Sequence, residues 1–375
     1  MKTTIRYLLT IGATLLLCMQ ADARIKMVAL PDRGATIIRL DNPNATLIEE
    51  ERVLTLQKGV NKVDFSWNGV QVDVDSIRLA VLGHPDKVIL LNVSYPPNEA
   101  ALVWEISCAQ AYEEPVRISY LLRNIDRLVT YAAVADKAET TVNLKSHVIM
   151  RNFSGEDFAR ARVVLDYGQA FEDSIQHEET KQLLFFQKDK VPITKVWKFD
   201  SAVQPWDPEK LDTNVGIPVI YRIENTEKNG LGMNALWGGK VRLQQEDGHG
   251  GTIVLGEDNV PLVPVGEKME PYIGDSRDIV VTQRKMKEER IVTRRDASGN
   301  PVLSDTDEIL RIKIENFKDS PATLTLVEHI DGQWDIEKCP LDYKRKDAGT
   351  LEFEIALPAQ GKKEFEIHYH RRNLR

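Results

Sequence analysis

Three cysteines in 375 residues are too few to staple a small disulfide-built domain. After the first 23 residues, no stretch is apolar for the roughly 20 residues that a membrane-crossing helix needs. Helical periodicity is scarce, because apolar residues seldom recur at three- and four-residue spacing. A basic surplus is missing too: 49 lysines and arginines against 57 acids leave a net charge of −8, which argues against nucleic acid as a partner. No G-x-S-x-G elbow, H-E-x-x-H helix, Walker loop or dinucleotide fingerprint occurs, and neither later cysteine has the histidine context of a nucleophile. No cofactor is implied. Repeats and low-complexity stretches are absent as well.

What is present begins with a positive start (Lys2, Arg6), an apolar run from Tyr7 to Met19, and Ala21-Asp22-Ala23. That is the three-part pattern of a secretory signal peptide over 1–23, with cleavage near Arg24 and a periplasmic or extracellular destination. Leu17 before Cys18 does not fit a lipid-anchor site. In an oxidising compartment, Cys108 and Cys339 either pair or stay as separate buried thiols.

Strand signals then fill the chain. "NKVDFSW" alternates Val63, Phe65 and Trp67 against Asp64 and Ser66, and the last third alternates as cleanly in "EILRIKIENF", "LEFEIALPA" and "KKEFEIHYH". The expectation is an all-β protein of tandem antiparallel β-sandwich domains. Pro96-Pro97 marks the end of an N-terminal β domain at 24–98; a central β domain follows at 99–270. An immunoglobulin-like sandwich at 271–375 completes the chain, without the Cys…Trp…Cys spacing of true immunoglobulin domains. "IQHEETKQLLFFQKD" (175–189) is the one segment that suggests a short helix.

"GGKVRLQQEDGHGGTIVLGED" (238–258) places Asp-Gly and Gly-Gly steps between two alternating runs, which is a hairpin signal. A phosphate cradle needs a helix after its glycines, and a calcium loop needs alternating oxygen ligands ending in glutamate; neither follows here. The stretch reads as architecture.

Several segments together resemble a family of bacterial exported domains of unknown function that includes the mucoidy-inhibitor-A-like proteins. The likeness rests on Glu224–Gly232 ("ENTEKNGLG"), Gly239–Leu243 ("GKVRL"), Leu255–Asp258 ("LGED"), Pro264–Glu267 ("PVGE") and Gly274–Asp278. Upstream, "NFSGED" at Asn152–Asp157 and the "ERVLTLQKGVNKVDFSW" run are similar to that family's strand start and N-terminal domain. The long coiled-coil hairpin of many members is missing, and Arg127 stands where members tend to carry tryptophan. The resemblance implies export and a β-sandwich build, and brings no catalytic residues.

Candidate site residues are few. Trp206, Asp207 and Glu209 in "QPWDPEK" have the composition of a sugar-binding loop, though a proline-braced connection explains them as well. His368 and His370 share a strand face and can ligate a metal if a third ligand, such as His329, arrives, although an exposed strand end beside Arg371 and Arg372 explains them and no metal site is assigned. Asp73 and Asp75 share a face in "VDVDS", which by itself does not make the facing carboxylates of a glycosidase. Asn44, Asn92 and Asn152 head Asn-x-Ser/Thr triplets. The leading expectation is a non-enzymatic envelope scaffold or binding module whose partner is an envelope protein or a surface glycan. The rival is a carbohydrate-active hydrolase using carboxylates of the central domain.

Overall fold

Inside–outside alternation becomes strand along most of the described residues. The computed structural model describes residues 26–42, 44–165, 170–208 and 216–374. The expected signal segment and Glu209 lie outside the described residues.

The chain runs through β1 (Lys26–Val28), β2 (Thr36–Asn42), β3 (Ala45–Leu56), β4 (Gly59–Ser66), β5 (Val72–Val81) and β6 (Val88–Ser94). Next come β7 (Ala101–Cys108), β8 (Tyr112–Leu122), β9 (Ile125–Ala135), β10 (Thr141–Asn152), β11 (Phe158–Val164) and β12 (Ala170–Ile175). β13 (Glu179–Pro192), β14 (Thr194–Asp200), β15 (Ile217–Glu224), β16 (Gly239–Glu246) and β17 (Thr252–Val260) follow. The last are β18 (Lys268–Met269), β19 (Tyr272–Ser276), β20 (Ile279–Arg295), β21 (Pro301–Asn316) and β22 (Ala322–His329). β23 (Gln333–Lys338), β24 (Lys344–Arg345), β25 (Thr350–Leu357) and β26 (Lys362–Leu374) close the chain. Among the described residues helical conformation is confined to a 3-10 turn at Glu227–Asn229 and to Pro208. No described helix is long and apolar enough to cross a membrane.

The strands form two compact units: Met1–Arg127 with Met150–Lys181, and Leu128–Ile149 with Gln182–Arg375. The chain passes from one to the other inside β9, β10 and β13.

The first unit holds a sheet of order β1-β4-β7-β6 and another of order β12-β11-β2-β3-β8-β5. Phe65 of β4 meets Trp104 of β7 at 5.5 Å between ring centroids and Tyr120 of β8 at 5.7 Å, so aromatic rings fill the space between the two sheets. Burying a side chain of this size stabilises by about 2–3 kcal/mol. The proline pair ends β6 but not the domain. β7 returns to lie between β4 and β6, so a boundary at 98/99 falls inside a sheet.

The second unit carries a sheet of order β13-β10-β9-β16-β17 and a two-sheet sandwich. One sandwich layer is β18-β15-β14-β22-β25-β24 with β19 alongside β15, and the other is β20-β21-β26-β23. Phe199, Ile217, Ile312, Leu326, Phe353 and Ile367 are buried in its core. β14 and β15 belong to this sandwich, and β18 and β19 both pair with β15. The boundary expected at 270/271 therefore also cuts a sheet.

Two local expectations have clear outcomes. The 238–258 hairpin is present: β16 and β17 pair antiparallel, and Asp247 Oδ1 accepts from the backbone N–H of His249 (2.7 Å) and Gly251 (2.9 Å). Gly248 and Gly250 sit at φ +81° and +90°, the positive range where a Cβ is strained. The helix expected at 175–189 is absent. A turn with Glu178 at φ +63° leads into β13, where Phe185 stacks on Trp237 at 4.7 Å. Consecutive bulky apolar residues there fit a pleated surface better than a helical stripe. Cys108 and Cys339 are not joined; their thiols donate to the carbonyls of Gln57 (3.1 Å) and Leu341 (3.3 Å).

Candidate functional site

The proline-flanked loop follows β14. Trp206 donates its indole N–H to the Ser201 carbonyl at 2.9 Å, and the Trp206 carbonyl accepts from the Gln283 amide at 2.7 Å. Asp207 accepts from Arg284 at 3.2 Å. These bonds pin the loop to β20 and occupy the polar groups that a sugar would need. The crevice beside it holds about 20 Å³ between Phe199, Pro205, Ile217 and Ile279, room for a water and not for a pyranose. The bracing explanation therefore accounts for Trp206 and Asp207.

One end of the sandwich core turns polar. Glu328 of β22 and Gln283 of β20 reach each other from opposite layers, Gln283 Nε2 donating to Glu328 Oε2 at 2.7 Å. Burial pushes the Glu328 carboxyl up to about 7, against the hydrogen bonds from Gln283 and Ser201 and the nearby His329. Glu308 of β21 behaves oppositely. Burial alone would raise it, yet Lys285 (2.9 Å), Tyr369 Oη (2.9 Å) and Thr306 Oγ1 (3.0 Å) hold it below the usual carboxylate range. Two carboxyls pushed apart in this way resemble an acid–base pair. However, Glu308 and Glu328 are 1 % and 2 % exposed, so substrate cannot reach them. They are structural.

In the first unit, Asp73 and Asp126 line a polar groove of about 450 Å³ with Asn42, Asn44, Arg123 and Arg127. Asp73 is bridged to Arg123 at 3.4 Å and Asp126 to Arg151 at 2.7 Å. Carboxylates neutralised in this way make poor nucleophiles and bases.

The C-terminal histidines share the outward face of β26 but have different partners. His368 faces Glu366 at 3.3 Å, and His329 is held by Asp200 at 2.9 Å on a different sheet, so it supplies no third ligand. Instead, His370 Nδ1 lies 2.8 Å from Asp307 Oδ1, and Glu337 joins them, with one donor atom from each residue inside 4.8 Å.

No protein-family model and no curated protein matches this chain.

The most unusual surface is β6, "VILLNVS". It ends its sheet, pairing with β7 alone among the described strands. Every residue after Val88 is exposed: Ile89 and Leu91 by more than half, Leu90 and Val93 by 37 %. The sequence showed this run as a strand, but nothing local says that it lies at an edge.

Proposed function

We propose that the protein is an exported, non-enzymatic β-sandwich module that binds an extended apolar segment of an envelope protein along the free edge of β6. The supporting observation is a contrast among edges. The five sheets end in β1, β6, β13, β17, β12, β5, β18, β24, β20 and β23. Among these ten strands β6 is the one with no charged residue; the others carry Lys, Arg, Asp or Glu. Charges on an edge prevent another strand from pairing; β6 has none in its seven residues, and the backbone N–H and C=O groups on either side of its one bulge, at Leu91, are ready to accept one. Export rests on the residue pattern of 1–23 and on the resemblance to exported bacterial proteins. For the rival hydrolase, Asp73 and Asp126 are bridged to Arg123 and Arg151, and Glu308 and Glu328 are buried away from any substrate.

The test is capture of envelope proteins by the purified chain and by an Ile89→Lys/Leu91→Lys variant. These side chains are exposed, so the variant is expected to fold normally. One stoichiometric partner held by the wild type and lost by the variant supports the proposal. Equal capture by both, or no partner alongside turnover of a glycan panel, removes it.

A further inference from the structure

We propose that Asp307, His370 and Glu337 form a binding site for a divalent transition-metal ion of the zinc class on the outer face of the β20-β21-β26-β23 sheet. The three residues come from three adjacent strands. Asp307 of β21 stands directly opposite His370 of the central strand β26, in register. Glu337 is the extra residue of a bulge in β23, where Ile336 pairs with Tyr369 and Lys338 with His368. A bulge re-aims a side chain that regular pleating would direct elsewhere.

Buried neighbours fix the direction of the set. Leu310 and Ile312 on β21 and Ile367 and Tyr369 on β26 point into the core, so the alternate positions Asp307 and His370 point outward. Flanking acids in the same row are already paired: Glu289, opposite Asp307, with Lys287 at 2.5 Å, and Asp335, opposite His370, with Arg372 at 2.6 Å. No described lysine or arginine bridges Asp307 or Glu337, although the Lys287 charge is close enough to feel both.

An imidazole nitrogen with two carboxylate oxygens is a donor set that suits zinc and its first-row neighbours. Zinc bonds of about 2.0–2.2 Å place donors about 3.4 Å apart in a tetrahedron. The His370–Asp307 gap of 2.8 Å needs slight opening, and the exposed Glu337 needs a small inward swing from within 4.8 Å. The cation takes the place of the hydrogen bond between His370 Nδ1 and Asp307 Oδ1, with the imidazole presenting a bare ring nitrogen to it. Three protein donors leave the remaining positions to water or to an outside ligand. The bound ion would tie β21, β26 and β23 together at the end of the sandwich.

Isothermal titration of the untagged full chain with zinc chloride tests this, with thermal unfolding followed in parallel. The wild type is expected to bind one equivalent saturably and to unfold at a higher temperature with zinc. Glu337→Gln, at an exposed position that does not threaten folding, and Asp307→Asn are each expected to weaken binding tenfold or more. His368→Gln is expected to leave it unchanged. Lys287→Ala is expected to tighten it a few-fold by removing the competing charge. Absence of saturable binding in the wild type, or equal binding by the Glu337→Gln and Asp307→Asn variants, overturns the proposal.

Discussion

Replacing Glu328 by glutamine isolates one buried charge and converts its environment into a measurable pH slope. The carboxyl is 2 % exposed, bridges the two layers of the C-terminal sandwich through Gln283, and is pushed from 4.5 up to about 7. Desolvation is the dominant cause. The bonds from Gln283 and Ser201 each favour the charged form, but such bonds are worth about 1.5–3 kcal/mol apiece, while stripping water from a carboxylate costs several. Below about pH 4.5 Glu328 is protonated in both folded and unfolded chains, and no penalty applies. As pH rises from 4.5 towards 7 the unfolded chain releases this proton while the folded chain retains it, so stability falls. Above 7 both states are ionised, and the fold bears the full cost, about 3 kcal/mol at 1.36 kcal/mol per pH unit.

Glutamine keeps the shape and never ionises. Its amide can still accept from Gln283 Nε2, and it adds an N–H beside Gln283 Oε1, a buried oxygen with no hydrogen-bond partner. Urea unfolding of wild type and Glu328→Gln, at pH 4.5 and at pH 8, gives two stability differences. Their difference is expected to be about 3 kcal/mol in favour of the variant at the higher pH, because titrating groups distant from Glu328 cancel. A difference between wild type and variant that is flat across this range would refute the assignment of a neutral buried carboxyl. A variant that loses stability equally at both pH values would show that the carboxylate oxygens, not the proton, hold the layers together.

Three further outcomes are expected. Gly239→Ala should destabilise the β9–β16 pairing by about 1–3 kcal/mol, since a Cβ there would sit 2.1 Å from the Val129 carbonyl oxygen; urea unfolding measures it. Glu114→Ala should cost about 2–5 kcal/mol, because this fully buried carboxylate accepts from the backbone N–H of Gly83 (2.7 Å) and His84 (2.9 Å) and faces His84 Nδ1; a lowered melting temperature with unchanged strand content by circular dichroism checks it. Phe65→Ala should cost about 3–5 kcal/mol by opening a cavity between Trp104 and Tyr120, detected as loss of the first unit's protection in hydrogen exchange.

Features that were legible in the sequence are those encoded locally. Alternation at Val63, Phe65 and Val241, Leu243 identified strands, and the Asp247–Gly251 glycines identified a hairpin tip, because φ preference and period-two patterning act over a few residues. Ile253 shows the limit even there: the alternation of its run marks a strand but not which side is covered, and Ile253 is exposed on the edge strand β17. Domain edges failed for a physical reason. Prolines at 96 and 97 stop a ladder locally, but whether the next strand rejoins the same sheet is decided by pairing energy across tens of residues. The metal candidate follows the same rule. The outward face of His370 could be read from parity, whereas Asp307 is joined to it by cross-strand register and Glu337 by a bulge, neither of which leaves a local trace. His329, the ligand weighed instead, was nearer in sequence than Asp307 but sits in the other layer.

Edge and metal candidates reflect one property of sheets. A strand in the middle of a sheet has its backbone satisfied on both sides, so its only chemistry is in the side chains that point outward; β26, carrying His370 between Asp307 and Glu337, is such a strand. An edge strand keeps half of its backbone groups unsatisfied, and its chemistry is strand addition unless charge forbids it. β20 illustrates the guarded case with "RKMKEER", and β5 with Asp73, Asp75 and Arg78. β6 has no charge to guard it and only one bulge, at Leu91, so a strand added there would gain ladder hydrogen bonds and cover Ile89 and Leu91 in the same step. Lysine at those two half-exposed positions leaves the core untouched and supplies the charge that the edge lacks. Loss of binding in that variant would thus trace to the edge itself and not to a weakened fold.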